Sequence, residues 1–216
     1  VSVSSGVAQL VSAFPGLHDE RVLVGVLMVL FVMMINLRGV RESGRLFAIP
    51  TYFFLTMMVV TFVAAFGRYF GGSLGAVEAP PPMPDGPTQA LTAFLVLHAF
   101  ANGTSALTGV EAISNGVTAF REPRSRNAGI TLLWMSSILG AMVLAVTYLA
   151  VQIGAVPSEA ETIISQVART AFANRGALYL LTISSTTVIL MMAANTAFAG
   201  FPRLAALTAG DGFLPR

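Results

Sequence analysis

The chain has 216 residues, of which 55% are hydrophobic and 10% are charged, and its formal net charge is +2. Soluble domains carry about 25% charged residues, so this composition excludes the soluble class and indicates an integral membrane protein. There is no cysteine, which excludes a disulfide framework and a thiolate metal site. All twelve basic residues are arginines, and we interpret their placement as membrane topology rather than as a nucleic-acid interface.

The first three apolar runs precede a polar linker. Residues 1–14 are too few to cross a bilayer, because a spanning helix needs about 20. No signal peptide is recognisable and the first residue is not Met, so we expect a piece of a longer protein. The run at 22–37 is somewhat short but has an arginine on each side, whereas 46–67 is a clear span.

A linker rich in Gly and Pro, residues 68–89, predicts the boundary between residues 1–67 and residues 90–216. Extended polyproline structure is expected at its centre, residues 79–87. After the linker, a long apolar run is followed by three further elements. These are a span at 128–152, a short interfacial or extramembrane helix at 158–173, and a last span at 177–199 followed by a surface helix and a turn.

The charges of the loops alternate along the chain. Residues 38–45 and 121–127 each sum to +2, whereas residues 18–21 and 68–89 each sum to −1. Because cytoplasmic loops carry the excess of arginine, 38–45 and 121–127 are predicted to face the cytoplasm, as is the tail. The linker and the helix at 158–173 are then predicted to lie outside.

The run at 90–120 is too long for one straight membrane helix. As a single helix its 31 residues would measure about 46 Å, against a hydrocarbon core of about 30 Å. Gly103 and Gly109 are weak helix formers near its centre, so an interruption is predicted between them. Glu111 is the only acid in any of the long apolar runs. Its insertion costs at least about 2.5 kcal/mol, which a substrate or coupling ion would offset.

Oxygen-bearing side chains surround the predicted break. A broken membrane helix also exposes carbonyls at the end of its first half and amides at the start of its second. Thr108 and Glu111 share a face of a continuing helix, and Thr104 and Ser105 add hydroxyl groups. Such oxygens suit a hard monovalent cation or an ammonium group. Two effects on Glu111 oppose each other: desolvation favours its protonated form, and the positive end of the helix dipole favours its charged form. Because they are balanced, Glu111 is predicted to take up and release a proton.

Structural interpretations compete with this site. An acid in a membrane helix can form a buried structural pair, and the glycines Gly103 and Gly109 are as compatible with helix packing as with a site. Hydroxyl side chains in membrane helices usually bond their own backbone. His98 fits an interfacial or structural role. Asn195 and the hydroxyl run 184–187 are interpreted as helix contacts.

Several stretches resemble the amino acid–polyamine–organocation transporters. Residues 108–111, with Glu122-Pro123-Arg124 and Asn127, resemble the sixth helix and the following loop of that superfamily. Residues 36–44 resemble its fourth-to-fifth helix connection, and residues 211–215 the stretch after helix eight. Within that superfamily, the sequence resembles the branch of KimA-type potassium importers more closely. That closer likeness rests on residues 105–116, 194–196 and 201–204.

The resemblance implies an all-α membrane protein with a LeuT-like five-plus-five inverted repeat. The chain would hold helices three to eight, with a discontinuous sixth helix and the linker between the two repeats. The implied function is secondary active transport without a cofactor, not enzyme catalysis. Proton-coupled potassium import is the first hypothesis, and an amino acid or polyamine permease is the alternative.

The resemblance also implies a site and a location. Potassium would bind at Thr108 and Glu111, between helices one, three, six and eight, with Ser2 on helix three as a further ligand. The first helix is absent from the chain, so the chain alone is not expected to transport. The whole protein would be a multi-pass plasma-membrane protein in contact with lipid, and a homodimer is compatible with the resemblance.

Overall fold

The computed structural model describes residues 1–37, 44–82, 92–104, 109–110, 113, 117 and 120–213. Every regular element in these ranges is a helix. The helices are α1 (Ser2–Ala13), α2 (Arg21–Leu37), α3 (Gly44–Phe70), α4 (Ala93–Gly103), α5 (Arg124–Ile153), α6 (Ile163–Phe172) and α7 (Ala177–Gly210), with a short 3-10 turn at Pro15–Leu17.

Three of these helices are long and apolar enough to cross a membrane, by length and composition. The spans are Ala48–Phe70 in α3, Arg124–Ile153 in α5 and Ala177–Asn195 in α7. A helix satisfies its backbone hydrogen bonds internally, which a segment inside a bilayer requires. The predicted spans at 46–67, 128–152 and 177–199 therefore correspond to helices of the structure.

The chain forms two compact units. Unit 1 consists of Val1–Pro84 and Val146–Arg216, and unit 2 is Asp85–Ala145. Unit 1 contains α1, α2, α3, α6, α7 and the last turns of α5, whereas unit 2 contains α4 and the rest of α5. These units describe packing, not sequence repeats, so the predicted division into two repeats stays a prediction.

Unit 1 is built around α7. Within it α7 contacts α1, α2, α3 and α6, while α6 also packs on α3. A buried apolar cluster joins α3, α5, α6 and the first residues after α3. Its members are Ala65, Leu74, Val77, Leu149, Ile153, Val167 and Ala171.

The end of α7 differs from the sequence prediction. A span ending at Ala199 and a separate surface helix were expected, but α7 runs without interruption to Gly210. Hydropathy marks only the part that can cross a membrane, which ends at Asn195. The helix continues through Gly200 and Pro202, which are both unfavourable inside a helix, and the other residues of this segment include several alanines and leucines that favour it. The expected turn begins after Gly210.

The linker also begins differently from its prediction. Its first residues continue α3 to Phe70. The following residues fold back onto unit 1, where Leu74 and Val77 are buried and the Val77 N–H donates to the Ile153 carbonyl at 2.9 Å. Ala79 has φ of 44°, so the expected polyproline conformation, with φ of about −75°, does not hold at that residue. The rest of the predicted polyproline stretch, from residue 83 onward, lies outside the described residues.

Candidate functional site

The predicted site residues are distributed over both units. Ser2 is the first residue of α1 in unit 1 and is half-buried. Thr104 follows α4 in unit 2, is exposed, and donates from Oγ1 to the Ala101 carbonyl at 2.6 Å. That bond is the backbone contact that threonines in helices usually make. The other three predicted ligands, Ser105, Thr108 and Glu111, lie outside the described residues, so their roles stay predictions.

The two glycines of the predicted break have different surroundings. Gly103 ends α4, and a Cβ added to it would meet nothing within 4 Å. A Cβ on Gly109 would lie 3.2 Å from both Cε and Sδ of Met135 in α5, which favours a packing role for that glycine. Residues 105–108 lie outside the described residues, so the interruption itself stays a prediction.

In unit 1, α1 and α7 pack directly against each other, and we call this contact the α1–α7 seam. These are the helices that the resemblance assigns as helices three and eight. The two helices come close at Gly6, where an added Cβ would lie 3.6 Å from the Leu190 Cβ, an ordinary van der Waals contact. Among the side chains that the structure describes, the buried polar ones of these two helices are Gln9, Ser12, Thr182, Ser185, Thr186 and Thr187.

The hydroxyl groups of α7 differ in their partners. Ser185 donates to the Thr182 carbonyl and Thr186 donates to the Ile183 carbonyl, each at 2.8 Å. The Thr187 Oγ1 is buried and has no hydrogen-bond partner among the described residues. The carbonyl four residues before Thr187 belongs to Ile183, which already accepts from Thr186. A buried hydroxyl without a partner is destabilising, so this oxygen is a candidate ligand for an ion or a water.

A second polar cluster lies at the end of unit 1 that carries α6. We call it the cap cluster, and its members are Glu161, Ser165, Arg169, Arg175 and Tyr179. Glu161 Oε1 accepts from Arg169 Nε at 2.9 Å, from Ser165 Oγ at 2.8 Å and from Arg175 Nη2 at 3.4 Å. The side chains of Glu161 and Arg169 are only 7% and 12% exposed. The carboxylate is therefore a buried ion-pair partner.

The cap cluster reaches α1 through Tyr179. The Tyr179 hydroxyl lies 2.8 Å from Ser165 Oγ and donates to the Ser12 carbonyl at 3.1 Å. The Arg175 guanidinium lies 5.8 Å from the centre of the Tyr179 ring, within the range of a cation–π contact. A continuous set of polar contacts thus joins α6, α7 and α1.

The start of α6 is bound to α1 by the residue that caps it. Thr162 accepts from the Ser165 N–H, which satisfies one of the free amides at the start of the helix. The same threonine donates from Oγ1 to Gln9 Oε1 at 3.0 Å and from its backbone N–H to Ser12 Oγ at 2.9 Å. The N-terminal cap of α6 is therefore also a tertiary contact.

The end of α6 is closed by an arginine of α3. Arg68 Nη1 donates to the carbonyls of Thr170 and Ala171 at 3.0 and 3.3 Å. A cation at a helix C-terminus is favourable, because the last carbonyls have no partner inside the helix. The spacing of apolar residues predicted α6 as an interfacial or extramembrane helix, but gave no sign that its polar residues Ser165 and Gln166 are fully buried.

The described residues contain no group of three or more His, Cys, Asp or Glu side chains that could hold a metal ion. In the seam, the Thr187 hydroxyl oxygen is the candidate for replacing part of the hydration shell of a monovalent cation, because it has no hydrogen-bond partner among the described residues. In the sequence, no signal in the hydroxyl run 184–187 distinguishes Thr187 from its neighbours.

Two comparisons with known proteins identify the family of the chain. The sequence model of the amino acid permease family matches residues 1–216, the whole chain. The potassium transporter KimA of Bacillus subtilis (strain 168) is 40% identical over 216 residues, which is all of this chain and 35% of that relative. The chain thus spans about a third of the length of the curated relative it matches. It belongs to the amino acid permease family of the amino acid–polyamine–organocation superfamily, whose members are membrane transporters with a LeuT-like fold.

Proposed function

We propose that the whole protein imports potassium together with protons across the plasma membrane, by secondary active transport. The observation that carries this proposal is the 40% identity, over every residue of the chain, to a protein named as a potassium transporter. The protein would cross the membrane several times, with residues 38–45 and 121–127 in the cytoplasm, as the loop charges predict. Transport would proceed by alternating access around a site near the bilayer midplane.

The proposed ion ligands are the residues that the sequence pattern and the resemblance imply. Thr108 and Glu111 would bind potassium, with Ser2, Thr104 and Ser105 contributing hydroxyl oxygens. Glu111 would also carry the coupled proton. The Thr187 Oγ1, which has no hydrogen-bond partner among the described residues, supports the proposal, because a bound cation would provide one.

Growth rescue tests the substrate and the acidic ligand. The whole protein is expected to restore the growth of a potassium-uptake-deficient bacterium at low external potassium. Glu111→Gln and Thr108→Ala should abolish or weaken the rescue. Rescue that is unchanged in both variants would refute the site, and in liposomes an outside-acid pH gradient that fails to accelerate uptake would refute proton coupling.

A pair of neighbouring variants tests Thr187. Thr187→Val removes a hydroxyl that bonds no described residue, so folding should be preserved while the KM for potassium rises about fivefold to tenfold, equivalent to about 1 to 1.4 kcal/mol. Thr186→Val is the matched control, because the Thr186 hydroxyl bonds its own helix and its loss should leave KM unchanged. Equal KM values in the two variants would remove Thr187 from the proposed site.

An amino acid or polyamine permease is the second candidate, favoured by the name of the matching family. An amino-acid site would need backbone amides to hold the substrate carboxylate, and these would come from the first helix, which is not in this chain. Uptake of radiolabelled rubidium, a potassium substitute, compared with uptake of labelled amino acids and putrescine, separates the two candidates. Amino acid uptake without rubidium uptake would replace the potassium proposal.

A further inference from the structure

We infer that four aromatic side chains bind the lipid interface on the side of α6 and set the depth at which α3 and α5 cross the membrane. We call them the aromatic cluster, and its members are Phe66, Tyr69, Phe70 and Tyr148. Their partner is the layer of ester carbonyls and headgroups of a phospholipid bilayer, and the loop charges predict this interface to be the outer one. The inference depends on the membrane location of the protein and not on its substrate, so it goes beyond the proposed function.

The members of the aromatic cluster contact one another across two helices of unit 1. Phe66, Tyr69 and Phe70 lie in the last two turns of α3. The ring of Tyr148, near the end of α5, lies 6.1 Å from the Phe66 ring and 5.7 Å from the Tyr69 ring, measured between ring centres. Phe70 is nevertheless 82% exposed and Tyr148 is 43% exposed. The rings therefore form a packed surface that stays open on its outer side.

Two tyrosine hydroxyls make one edge of the aromatic cluster polar. The Tyr148 hydroxyl donates to the Tyr69 hydroxyl at 2.8 Å. A bond between two hydroxyls uses one of their two hydrogens, so one donor is left, and it has no acceptor among the described residues. Rings with apolar faces and a free donor at their edge suit the boundary between hydrocarbon and headgroups, where ester carbonyls and water accept hydrogen bonds. In the middle of the bilayer the same donor would be unsatisfied, which is costly.

The aromatic cluster continues the exposed apolar faces of two candidate membrane spans. Residues that are three, four or seven positions apart share a face of a helix. On α3, the exposed side chains with this spacing are Val59, Val63 and Phe70. On α5, they are Leu144, Tyr148 and Val151. Apolar faces of membrane spans contact acyl chains, so the aromatic cluster lies at the end of both faces, where acyl chains give way to headgroups.

The lengths of the two helices agree with a membrane boundary at the aromatic cluster. A hydrocarbon core of about 30 Å is crossed by about 20 residues of helix. Counted back from Tyr69, these residues reach Ile49, at the start of the span in α3. Counted back from Tyr148, they reach Ala128, which follows the basic loop at 121–127. One boundary therefore satisfies both helices, since each then meets the opposite interface where its apolar run begins.

A depth series of spin labels on α5 tests the inference and leaves the aromatic cluster intact. The chain has no cysteine of its own, so the whole protein, with any other cysteines replaced, would carry Leu139→Cys, Leu144→Cys or Val151→Cys. At 1.5 Å per residue, these positions lie about 14 Å and about 6 Å below Tyr148 and about 4.5 Å beyond it. In vesicles of phosphatidylethanolamine and phosphatidylglycerol, each label is probed with oxygen, which concentrates in hydrocarbon, and with a water-soluble nickel chelate.

The ratio of oxygen to nickel accessibility is expected to be highest at position 139 and lowest at position 151, with the hydrocarbon boundary between 144 and 151. A boundary outside that interval would overturn the assigned depth. Labels at 144 and 151 that are immobile and reached by neither reagent would show that another part of the whole protein covers this face, and would overturn lipid binding. The series needs no transport activity, so its failure leaves the potassium proposal intact, and failure of that proposal leaves the series unaffected.

Tyr69→Leu combined with Tyr148→Leu tests whether the tyrosines set the depth. The double variant removes both hydroxyls and keeps an apolar surface, so the label at 151 should move towards the hydrocarbon by up to one helical turn, about 5 Å. Each single substitution disturbs the packing less and should move the label in the same direction. Phe31→Leu is the control, because it removes an exposed ring of α2 outside the cluster and should leave the label in place. A label that keeps its depth in the tyrosine variants would overturn the anchoring role.

Discussion

The two ends of unit 1 are held together in different ways. At the end that carries α6, a buried carboxylate, two arginines and capped helix termini connect α1, α3, α6 and α7. Towards the other end, α2 meets α7 through an amide pair, in which Asn36 Nδ2 donates to Asn195 Oδ1. A cavity of about 410 Å³ lies beside that pair, lined mainly by apolar side chains of α2, α3 and α7.

The difference indicates where unit 1 resists deformation. Buried charges are costly to separate, because each would be left in a medium of low dielectric constant. Hydrogen bonds between membrane helices contribute less, about 0.6 kcal/mol on average. Side chains that line a cavity also lack contacts on one side, which weakens their packing. We therefore expect the end of unit 1 that carries the cap cluster to be rigid, and the end with the amide pair to deform first.

Arg169→Ala should have the largest effect on stability. It removes the better-buried cationic partner of Glu161 and should lower the free energy of unfolding by about 3 to 5 kcal/mol. Denaturant unfolding of the whole protein in detergent measures the change. Arg175→Ala is the control, because that side chain is 41% exposed and its nitrogen lies 3.4 Å from the carboxylate. Equal effects of the two substitutions would contradict the central place of the buried pair.

Asn36→Ala should have an intermediate effect. It removes the hydrogen bond to Asn195 and leaves the apolar contacts of α2 in place, so a loss of about 1 kcal/mol is expected. The same unfolding experiment applies. A loss as large as that of Arg169→Ala would mean that the two ends of unit 1 are held equally firmly, which would remove the contrast.

Glu159→Gln should have the smallest effect. Arg21 Nη1 donates to Glu159 Oε2 at 2.8 Å, and this hydrogen bond and the positive charge lower the pKa of Glu159. The stabilisation is then present above the ordinary carboxyl pKa and is lost as the pH falls through the lowered value. Both side chains are exposed, 51% for Arg21 and 79% for Glu159, so salt and water screen the pair.

Thermal unfolding from neutral pH down to about pH 3, which spans the ordinary carboxyl pKa range, measures the contribution of this pair to stability. The parent and Glu159→Gln should differ little at neutral pH, and the difference should vanish towards the acid end. A difference that grows on acidification would have the wrong sign for a lowered pKa. A large difference in stability between the parent and Glu159→Gln at neutral pH would mean that this surface pair stabilises the protein as much as a buried pair does.

The membrane class and the spans were accessible from sequence, since both depend on local composition. The cores of α3, α5 and α7 follow from uninterrupted apolar runs. The continuation of α7 beyond Ala199 was missed, because Gly200 and Pro202 are both residues that favour the end of a helix. The burial of Ser165 and Gln166 was missed as well, because a polar residue on a short helix gives no sign of what will cover it.

A comparison of Glu159 with Glu161 shows what the sequence determined and what it did not. The sequence by itself determined that this is a membrane protein, which helices are apolar enough to span, and which transporters it resembles, because hydropathy and motifs are properties of contiguous residues. It does not distinguish Glu159, which is exposed beside Arg21, from Glu161, which is buried between two arginines. Only the tertiary structure separates them, because burial at this end of unit 1 depends on packing against α1 and α3, which are distant in the chain and meet α6 only after folding.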